Sequence, residues 1–346
     1  MGKKSRIVMT AALCIVVFIF NFLMVNVASA PSLPDTAHKP ANGSYQMVNQ
    51  PLEKQTDDDY TFVWMSDTQY YSKRNPHIYK AMVNWIAEKK NELSIPYVIH
   101  TGDIVHNWDD ETQWKHAADS MNVLENEDIP YGMLAGNHDI DLKNKDYSTF
   151  SKYFGQSQFE NHSYYGGSYK NNRGHYDILN VNGNNFIMIY MSWGIDQEEI
   201  DWVNKVLQKY PEHTAFLNLH QYLLPNGKRS RLGEKLFEQV ITPNENVAVT
   251  LSGHYYGTAS RVDTIDDNGD GMPDRSVHQL FANYQGGPDG GQGYMRLLHV
   301  SPEENKIYVK TYSPYMDNYN YYDTEDYPGK DEFVIELPLN ESNDPT

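Results

Sequence analysis

The sequence predicts a layered α/β protein whose C-terminal portion is rich in β-strands. Between residues 61 and 252, short apolar runs of β-forming residues alternate with segments whose apolar residues recur at helical spacing. Beyond residue 254 the helical spacing stops, and strand-like runs alternate with glycine-rich loops. This order is typical of helices packed on β-sheets around a shared core.

The individual elements follow from local patterns. Trp114, Ala117 and Met121, for example, lie three and four residues apart and so share one helical face. Asn182-Gly183 separates two apolar arms and is a strong hairpin-turn signal. The elements predicted up to residue 252 are strand 61–65, helix 75–93, strand 97–100, a helix capped by Asp109 or Asp110, strand 131–135, hairpin arms 175–181 and 185–191, helix 197–209, strand 214–219, helix 230–240 and strand 246–252. Four further strands are predicted at 277–284, 294–300, 306–312 and 333–337.

Length and charge limit the possible classes of function. The chain has 346 residues, enough for one large domain or two modest ones at about 150 residues per domain. It has 46 Asp and Glu against 28 Lys and Arg, a formal charge of −18. This balance argues against nucleic-acid binding through a broad basic face, because phosphate contacts need clusters of Lys and Arg. A phosphate ester held by metal ions remains compatible, since the ions supply positive charge locally.

The first thirty residues are predicted to be an export signal. Lys3, Lys4 and Arg6 precede an apolar run over 7–27, and Ala-Ser-Ala at 28–30 offers a small-residue cleavage site. The alternative is an uncleaved membrane anchor, since about 20 apolar residues can span a bilayer. The single cysteine lies inside this segment, so the mature chain would have no disulfide. We therefore expect a bacterial protein that is secreted or at the cell surface and meets the membrane only through an uncleaved signal.

The remaining chain divides into three parts. Residues 31–59 are rich in Pro, Asn and Asp without apolar periodicity and are predicted to be a linker. Residues 60–257 hold the alternation of strands and helices and form the predicted core. The β-rich portion over 258–340 is expected to complete the same domain.

Polar residues that can bind metal ions follow the predicted strands at the point where each strand ends. In chain order they are Asp67, Gln69, Asp103, Asn137, His138, Asp139, His220 and His254. Because the carboxyl ends of the strands line the ligand crevice of open α/β sheets, five successive segments are expected to meet at one edge. Carboxylate, amide and imidazole groups together suit Mn, Fe or Zn. Glycines next to Asp103, Asn137 and His254 are expected to let the backbone turn sharply.

The order Asp-x-Gln, Gly-Asp, Gly-Asn-His-Asp, a lone His and Gly-His resembles the calcineurin-like metallophosphoesterase superfamily, over residues 60–257. The resemblance implies an α/β/β/α sandwich with two divalent transition metals, and hydrolysis of a phosphate mono- or diester by a metal-activated water. It also assigns the ligands. Asp67 and the residue at 69 would bind the first metal, Asp103 would bridge both, and the second metal would be bound by Asn137, His220 and His254. His138 would contact the phosphate or protonate the leaving group, with Asp139 orienting it.

The sequence departs from the family pattern twice, both times at the first metal. Gln69 stands where His is usual, although Asp-x-Gln is familiar in bacterial members, and Tyr256 replaces the second His of Gly-His-x-His. An amide oxygen can bind a metal, whereas a neutral phenol binds divalent ions poorly, so the first site is expected to be the weaker. A phenolate at Tyr256 on ferric iron is the alternative. The roles of His106 and Asn107, close to Asp103, stay open.

A second metal motif lies at residues 266–274. Asp266, Asn268, Asp270 and Asp274 place oxygen ligands at positions 1, 3, 5 and 9 of a calcium loop of EF-hand type, with a glycine at position 6. Val277 stands at position 12, where Glu is usual. The segment could therefore bind calcium, or it could be an acidic hairpin turn between two strands.

Two functions remain open at this stage. The first is a secreted metal-dependent phosphoesterase acting on nucleotides, phosphosugars, phospholipid headgroups or teichoic-acid-like cell-wall polymers. The alternative is a weakly active or non-catalytic protein on the same scaffold that holds a polymer through a tyrosine-rich surface, since the chain has 27 Tyr against 12 Phe. The presence of His138 favours the enzyme, because a binding scaffold has no need of that side chain.

Overall fold

Two seven-stranded β-sheets lie face to face in the computed structural model, which describes residues 52–337 and Leu339. Helices cover the outer face of each sheet, so the predicted α/β/β/α sandwich is confirmed. The elements up to residue 169 are β1 (Tyr60–Met65), α1 (Gln69–Arg74), α2 (Pro76–Lys89), β2 (Tyr97–His100), α3 (Glu111–Asn126), β3 (Tyr131–Met133), α4 (Ser148–Phe154), α5 (Gln156–Phe159) and β4 (Tyr165–Tyr169).

The second half of the chain contributes more strands than helices. Its elements are β5 (Gly174–Val181), β6 (Asn184–Met191), α6 (Gln197–Lys209), β7 (Thr214–Leu219), α7 (Arg231–Leu236), β8 (Val247–Ser252), β9 (Gly257–Ile265), β10 (Arg275–Asn283), β11 (Met295–Ser301), β12 (Lys306–Ser313), β13 (Asn318–Tyr319) and β14 (Phe333–Glu336). A π-helical turn over Phe237–Ile241 continues α7, and a short 3₁₀ turn lies at Pro288–Gly290.

The strand order explains how both halves of the chain build one domain. The first sheet has the order β13-β12-β11-β1-β2-β3, with β14 beside β12, so the C-terminal strands extend it from β1. The second sheet has the order β4-β5-β6-β7-β8-β10-β9. Strands β1, β2 and β3 run parallel, and so do β6, β7, β8 and β10. Each sheet therefore presents several carboxyl strand ends at one edge.

Strand β1 shows why the sheets pack in this way. All six of its residues are buried, and successive side chains point to opposite faces. Val63 packs with the helices on one side, whereas Phe62 lies between the sheets. The Phe62 ring meets Phe186 and Phe216 of the second sheet edge-on, with ring centroids 5.3 and 5.9 Å apart. On the far side of the second sheet, α6 buries Ile200 and Val203.

All the predicted strands and helices are present, but several short elements were not expected. Helices α1, α4 and α5 have seven residues or fewer and so carry too few turns to show a helical period. Strand β9 was expected only as one arm of the alternative hairpin, because it lies at the edge of its sheet and exposes alternate side chains. Its antiparallel pairing with β10 makes residues 266–274 a hairpin connection.

Packing begins before residue 60, earlier than the linker prediction placed it. Leu52 is buried and its backbone N–H donates to the Tyr319 hydroxyl. Asp59 is buried as well, and its carboxylate accepts the backbone N–H groups of Gln55 and Thr56. The predicted signal over 1–30, the linker up to residue 51, and residues 338 and 340–346 lie outside the described residues. Within the described part of the chain, no helix has both the length and the apolar character needed to cross a membrane.

Candidate metal centre

The carboxyl ends of the parallel strands bring the predicted ligands together. Asp67 follows β1 and Asp103 follows β2, while His220 and His254 follow β7 and β8 of the other sheet. One ligand atom from each of Asp103, His220 and His254 lies within 4.8 Å of the other two. The centre therefore lies where the two sheets meet, and it draws ligands from both.

The imidazole of His220 is oriented as a metal ligand would be. Its Nδ1 lies 2.8 Å from the Thr101 carbonyl oxygen, and this contact assigns the proton to Nδ1. Nε2 then faces the amide oxygen of Asn137 at 3.1 Å and a carboxylate oxygen of Asp103 at 3.3 Å. Burial alone would lower the His220 pKa, but the nearby carboxylates raise it to about 9. The carboxylates thus stabilise a positive charge at the point where these atoms converge.

Asp67 supplies a second buried carboxylate close to the first. Its oxygens accept the His254 backbone N–H at 3.1 and 3.2 Å, the Ser66 hydroxyl at 2.5 Å and the Gln285 amide at 3.3 Å. Burial and the charge of Asp103 raise the Asp67 pKa to about 8, although His220 opposes the shift. A buried carboxylate pair of this kind is stabilised by cations held between or beside the two groups.

Two buried amide oxygens face the same pocket without a hydrogen-bond partner. Gln69 Nε2 donates to Asp103 at 3.0 Å, and Gln69 Oε1 has no partner among the described residues. Gln285 Oε1 is unpartnered in the same way, and both side chains line the pocket. Buried polar atoms normally have a partner. Unsatisfied amide oxygens beside two carboxylates and two imidazoles therefore fit a site for divalent cations.

The backbone at the ligands is unusual. The expected sharp turn is present at Gly102, next to Asp103, whose φ is 93°, whereas the glycines before Asn137 and His254 act differently. Asp67, Asp103 and His254 themselves have positive φ angles, of 54°, 53° and 73°. Such strain at non-glycine residues clusters at functional sites. Gly136 and Gly253 do not have positive φ; they leave room instead. A Cβ would lie 2.1 Å from Asp103 Oδ1 at Gly136, and 2.2 Å from Asp67 Oδ2 at Gly253.

The structure corrects the expected role of Asp139. Its carboxylate accepts the backbone N–H groups of Ile104, Val105 and Gly136 at 2.7 to 2.9 Å. These bonds tie the loop after β2 to the loop after β3. The side chain is fully buried and shows no bond to the ring of His138. Asp139 therefore positions the loop that carries Asp103, because backbone N–H groups, and not an imidazole, surround it.

The sequence of the core gives the identification. A sequence model of the calcineurin-like phosphoesterase family, Metallophos, matches residues 60–256. The chain belongs to the calcineurin-like phosphoesterase family. The matched span runs from β1 to the residue before β9, and it includes each strand end that carries a predicted ligand.

Two similar proteins set this family member in context. It is 54% identical over 282 residues to uncharacterized protein YvnB of Bacillus subtilis (strain 168), an alignment that covers 82% of this chain. The chain spans only 22% of the length of that relative. It is also similar in structure to the purple acid phosphatase PPD1 from yellow lupin seeds, with a TM-score of 0.54 and 11% identity. That match covers 83% of this chain and 55% of the lupin chain, and it supports the fold alone.

Tyr256, the main departure from the phosphoesterase pattern, lies at the mouth of the pocket. The pocket has a volume of about 290 Å³, and the Tyr256 side chain is 59% exposed. Burial of part of the ring, together with interaction with Tyr70, raises the Tyr256 pKa above its ordinary value. This pKa applies without a metal ion, and a bound cation would itself lower the pKa of a phenol, so the phenolate on ferric iron stays an alternative prediction.

The other open positions near Asp103 have different surroundings. His106 lines the pocket, and its ring is stacked between Tyr70 and His138, with centroids 5.2 and 4.9 Å away. Asn107 is exposed and its backbone N–H donates to Gln113. His106 is therefore part of the pocket wall, whereas Asn107 lies in the loop before α3.

Gln285 is a site residue that the sequence reasoning missed. It is buried, lines the pocket and contacts Asp67. It follows β10, which runs parallel to β8, so its position obeys the same strand-end rule as His254. The predicted strand over 277–284 ends directly before it, and this signal could have found it.

The predicted calcium residues lie in the β9–β10 connection of the phosphoesterase. All four side chains are exposed. Asp266 accepts backbone N–H groups from Gly269, Asp270 and Gly271, and Asp274 accepts those of Asp267 and Asn268. Asp266 and Asp274 thus stabilise the hairpin connection by bonding to its own backbone. Calcium binding by this loop stays a prediction.

Proposed function

We propose that this chain is an exported metal-dependent phosphoesterase that hydrolyses a phosphate mono- or diester. The observation that carries the proposal is the convergence of three ligand atoms. His220 Nε2 lies 3.1 Å from Asn137 Oδ1 and 3.3 Å from Asp103 Oδ1. An imidazole nitrogen, an amide oxygen and a carboxylate oxygen gathered at such distances form a set of ligands that suits a divalent metal. The family shown by the core sequence points to the same chemistry.

The ligands divide into two sets of different chemistry. Asn137, His220 and His254 would form the second site, with two imidazoles. The first site would have only oxygen ligands, from Asp67 and from the unpartnered amide oxygens of Gln69 and Gln285. Asp103 contacts members of both sets, which supports a bridging role. Imidazole favours Zn, Fe or Ni, whereas sites with only oxygen ligands favour Mg, Ca or Mn, so the first site should be the weaker one for transition metals.

The protein groups around the centre each have a definite task. Divalent ions bound there would offset the phosphate charge and lower the pKa of an attacking water. Asp139 holds the loop of Asp103 in place, and Thr101 fixes the tautomer of His220. His138 lines the pocket beside these ligands, and its free ring nitrogen is available to protonate the leaving group.

Export is a further part of the proposal. The charged start, apolar run and Ala-Ser-Ala site over residues 3–30 support a secreted or cell-surface location. The relative YvnB is several times longer than this chain, so the activity of a whole protein of that kind is itself a proposal.

The alternative of a polymer-binding scaffold is favoured by the Tyr256 replacement, but its argument from tyrosine content is weakened. Among the tyrosines that the structure describes, thirteen are buried, where they pack the core. Among the described residues only three tyrosines, Tyr256, Tyr315 and Tyr327, rank as exposed large side chains. The high tyrosine content therefore reflects core packing more than a surface for polymers.

Removal and return of metal tests the proposed activity. The full chain is stripped with a chelator, reloaded with Mn, Fe(II) or Zn, and assayed on p-nitrophenyl phosphate and bis(p-nitrophenyl) phosphate. We expect no hydrolysis without metal and recovery with at least one ion. His220→Ala should lose this recovery, whereas His213→Ala, outside the centre, should keep it. Full hydrolysis by metal-free protein would contradict the proposal.

A further inference from the structure

A second groove lies next to the metal centre and shares one wall with it. This groove has a volume of about 750 Å³, and Tyr255 lines both it and the metal pocket. The shared wall is a bonded pair: Gln221 Nε2 donates to the Tyr255 hydroxyl at 2.5 Å. Gln221 directly follows His220, and Tyr255 directly follows His254. The Gln221–Tyr255 pair is therefore the wall between the groove and a substrate held at the metal ligands.

The groove is cationic, although the chain as a whole is strongly acidic. Arg229, Arg231 and Lys235 line it, and no Asp or Glu does so in the part of the protein that the structure describes. The charge of Arg229 is offset by Asp263 and Glu234, at 2.6 and 2.9 Å. Neither Arg231 nor Lys235 makes an ion pair with a described residue. Two uncompensated cations therefore face this groove in a chain of formal charge −18.

The two free cations are held close together by a fixed scaffold. Both lie on α7, four residues apart, which places their Cβ atoms about 5–6 Å from each other. The helix start is fixed because Ser230 is buried and bonds to Gly233 and Tyr222. Like charges at this spacing destabilise a helix, and a bound anion relieves that repulsion.

We propose that this groove, which we call the α7 groove, binds a second phosphate of an extended substrate whose reacting phosphate lies at the metal centre. The inference rests on the proposed phosphoesterase function and names its substrate class: a polyol-phosphate polymer with repeated phosphodiesters. The α7 groove supplies the positive charge that binding of the neighbouring phosphate requires. Without it, the acidic surface of this chain would repel such a polymer.

The lining of the α7 groove favours a polymer without bases over a single-stranded nucleic acid. Proteins that hold single strands stack successive bases on aromatic side chains along a long cationic track. The α7 groove has one aromatic side chain, Tyr255, whose hydroxyl already bonds to Gln221 and whose ring packs on His254 at 4.5 Å. Leu224 and Leu232 also line the groove, and their aliphatic side chains offer no aromatic ring on which a base could stack.

The double variant Arg231→Gln/Lys235→Gln tests the proposal on the metal-loaded full chain. Two substrates are compared: bis(p-nitrophenyl) phosphate, with one phosphate, and a short poly(glycerol phosphate). We expect the KM for the oligomer to rise about tenfold with kcat unchanged, since each exposed ion pair contributes a small factor. Kinetics on the one-phosphate diester should not change. The control Lys80→Gln/Lys115→Gln removes two exposed lysines outside the groove and should leave both substrates unaffected.

Equilibrium binding of the same oligomer gives a readout that does not depend on turnover. The double variant should bind it about tenfold more weakly than the control, with a reduced dependence on salt. Equal binding by variant and control would overturn the inference, and so would equal losses on both substrates. If the double variant loses more affinity for a single-stranded oligonucleotide than for the glycerol phosphate oligomer, the ligand of the groove is a nucleic acid and not a polyol polymer. Absence of hydrolysis of the one-phosphate diester by the native protein would instead count against the proposed function.

Discussion

The ring of His138 is held by the backbone of His106. Nδ1 of His138 lies 2.8 Å from the His106 carbonyl oxygen, and the two rings are stacked with centroids 4.9 Å apart. The backbone N–H of His138 donates to Asp103 at 3.0 Å. This arrangement assigns the Nδ1 proton to a structural bond and leaves Nε2 as the nitrogen that can serve the substrate.

The first prediction concerns proton donation by this ring. His138→Ala should lower the rate by about 10²–10⁴ on a substrate with a poor leaving group such as phenyl phosphate. The loss should be smaller on p-nitrophenyl phosphate, whose leaving group needs no proton, and the bound metal should not change. Parallel loss of metal and activity would show that His138 is a ligand.

The second prediction separates Asp139 from His138. In the native protein the Asp139 carboxylate accepts hydrogen bonds from backbone N–H groups. Asp139→Asn places an amide N–H₂ donor against these donors, which should lower the free energy of unfolding by about 1–3 kcal/mol. We expect lower stability in urea and weaker metal binding, with no dependence on the leaving group. If Asp139→Asn leaves stability unchanged and reproduces the leaving-group effect of His138→Ala, Asp139 acts on the ring.

The third prediction concerns the weaker metal site. Tyr256→His would offer an imidazole at the position where the family pattern has one, and should tighten the first site. Activity at limiting metal should then rise, and a titration of apo protein should show less difference between the two equivalents. Two equivalents of equal affinity in the native protein, or an inactive Tyr256→His, would contradict the asymmetry and point to substrate positioning by Tyr256.

The fourth prediction is a dependence of stability on pH. Burial alone would raise the Asp263 pKa, but bonds from Arg261, Gln279 and Arg229 lower it from 3.8 to about 2. Because the folded-state pKa lies below the unfolded one, this stabilisation is present above about pH 4 and is lost as pH falls towards 2. Asp263→Asn should therefore destabilise by about 1–2 kcal/mol at pH 7, and by less at pH 3.

Urea unfolding at the two pH values measures this difference. Asp119→Asn, at an exposed carboxylate on α3, is the control and should show no such gap between pH 7 and pH 3. A destabilisation by Asp263→Asn that is equal at both pH values would mean that the loss comes from packing and not from the ionised carboxylate.

Much of the fold and most of the centre could be predicted because both follow from chain-local rules. The run 61–65 and its parallel partners are buried on both faces, so they are apolar throughout and visible in the sequence. The strand-end rule then placed Asp67, Asp103 and His254 at one edge, as the structure has them. Short or polar elements such as α1 and β9 have no such signal.

The parts that could not be predicted depend on contacts between distant segments. The three backbone N–H groups around Asp139 come from two different loops, so the sequence beside His138 suggested a ring contact that the fold does not make. The α7 groove escaped notice for the same reason, since Tyr255 and Lys235 meet only after β8 docks beside β7. Gln285 could have been predicted by applying the strand-end rule to β10 as well.

Metal content measured together with hydrolysis in Asp103→Asn tests the central claim most directly. Asp103 contacts both ligand sets, through Gln69 at 3.0 Å and His220 at 3.3 Å, and its replacement should empty or disorder the whole centre. Elemental analysis of the native protein should give two metal equivalents with hydrolysis of an aryl phosphate ester, and the variant should lose both. Full metal occupancy and full rate in Asp103→Asn would contradict a two-metal phosphoesterase built on this carboxylate.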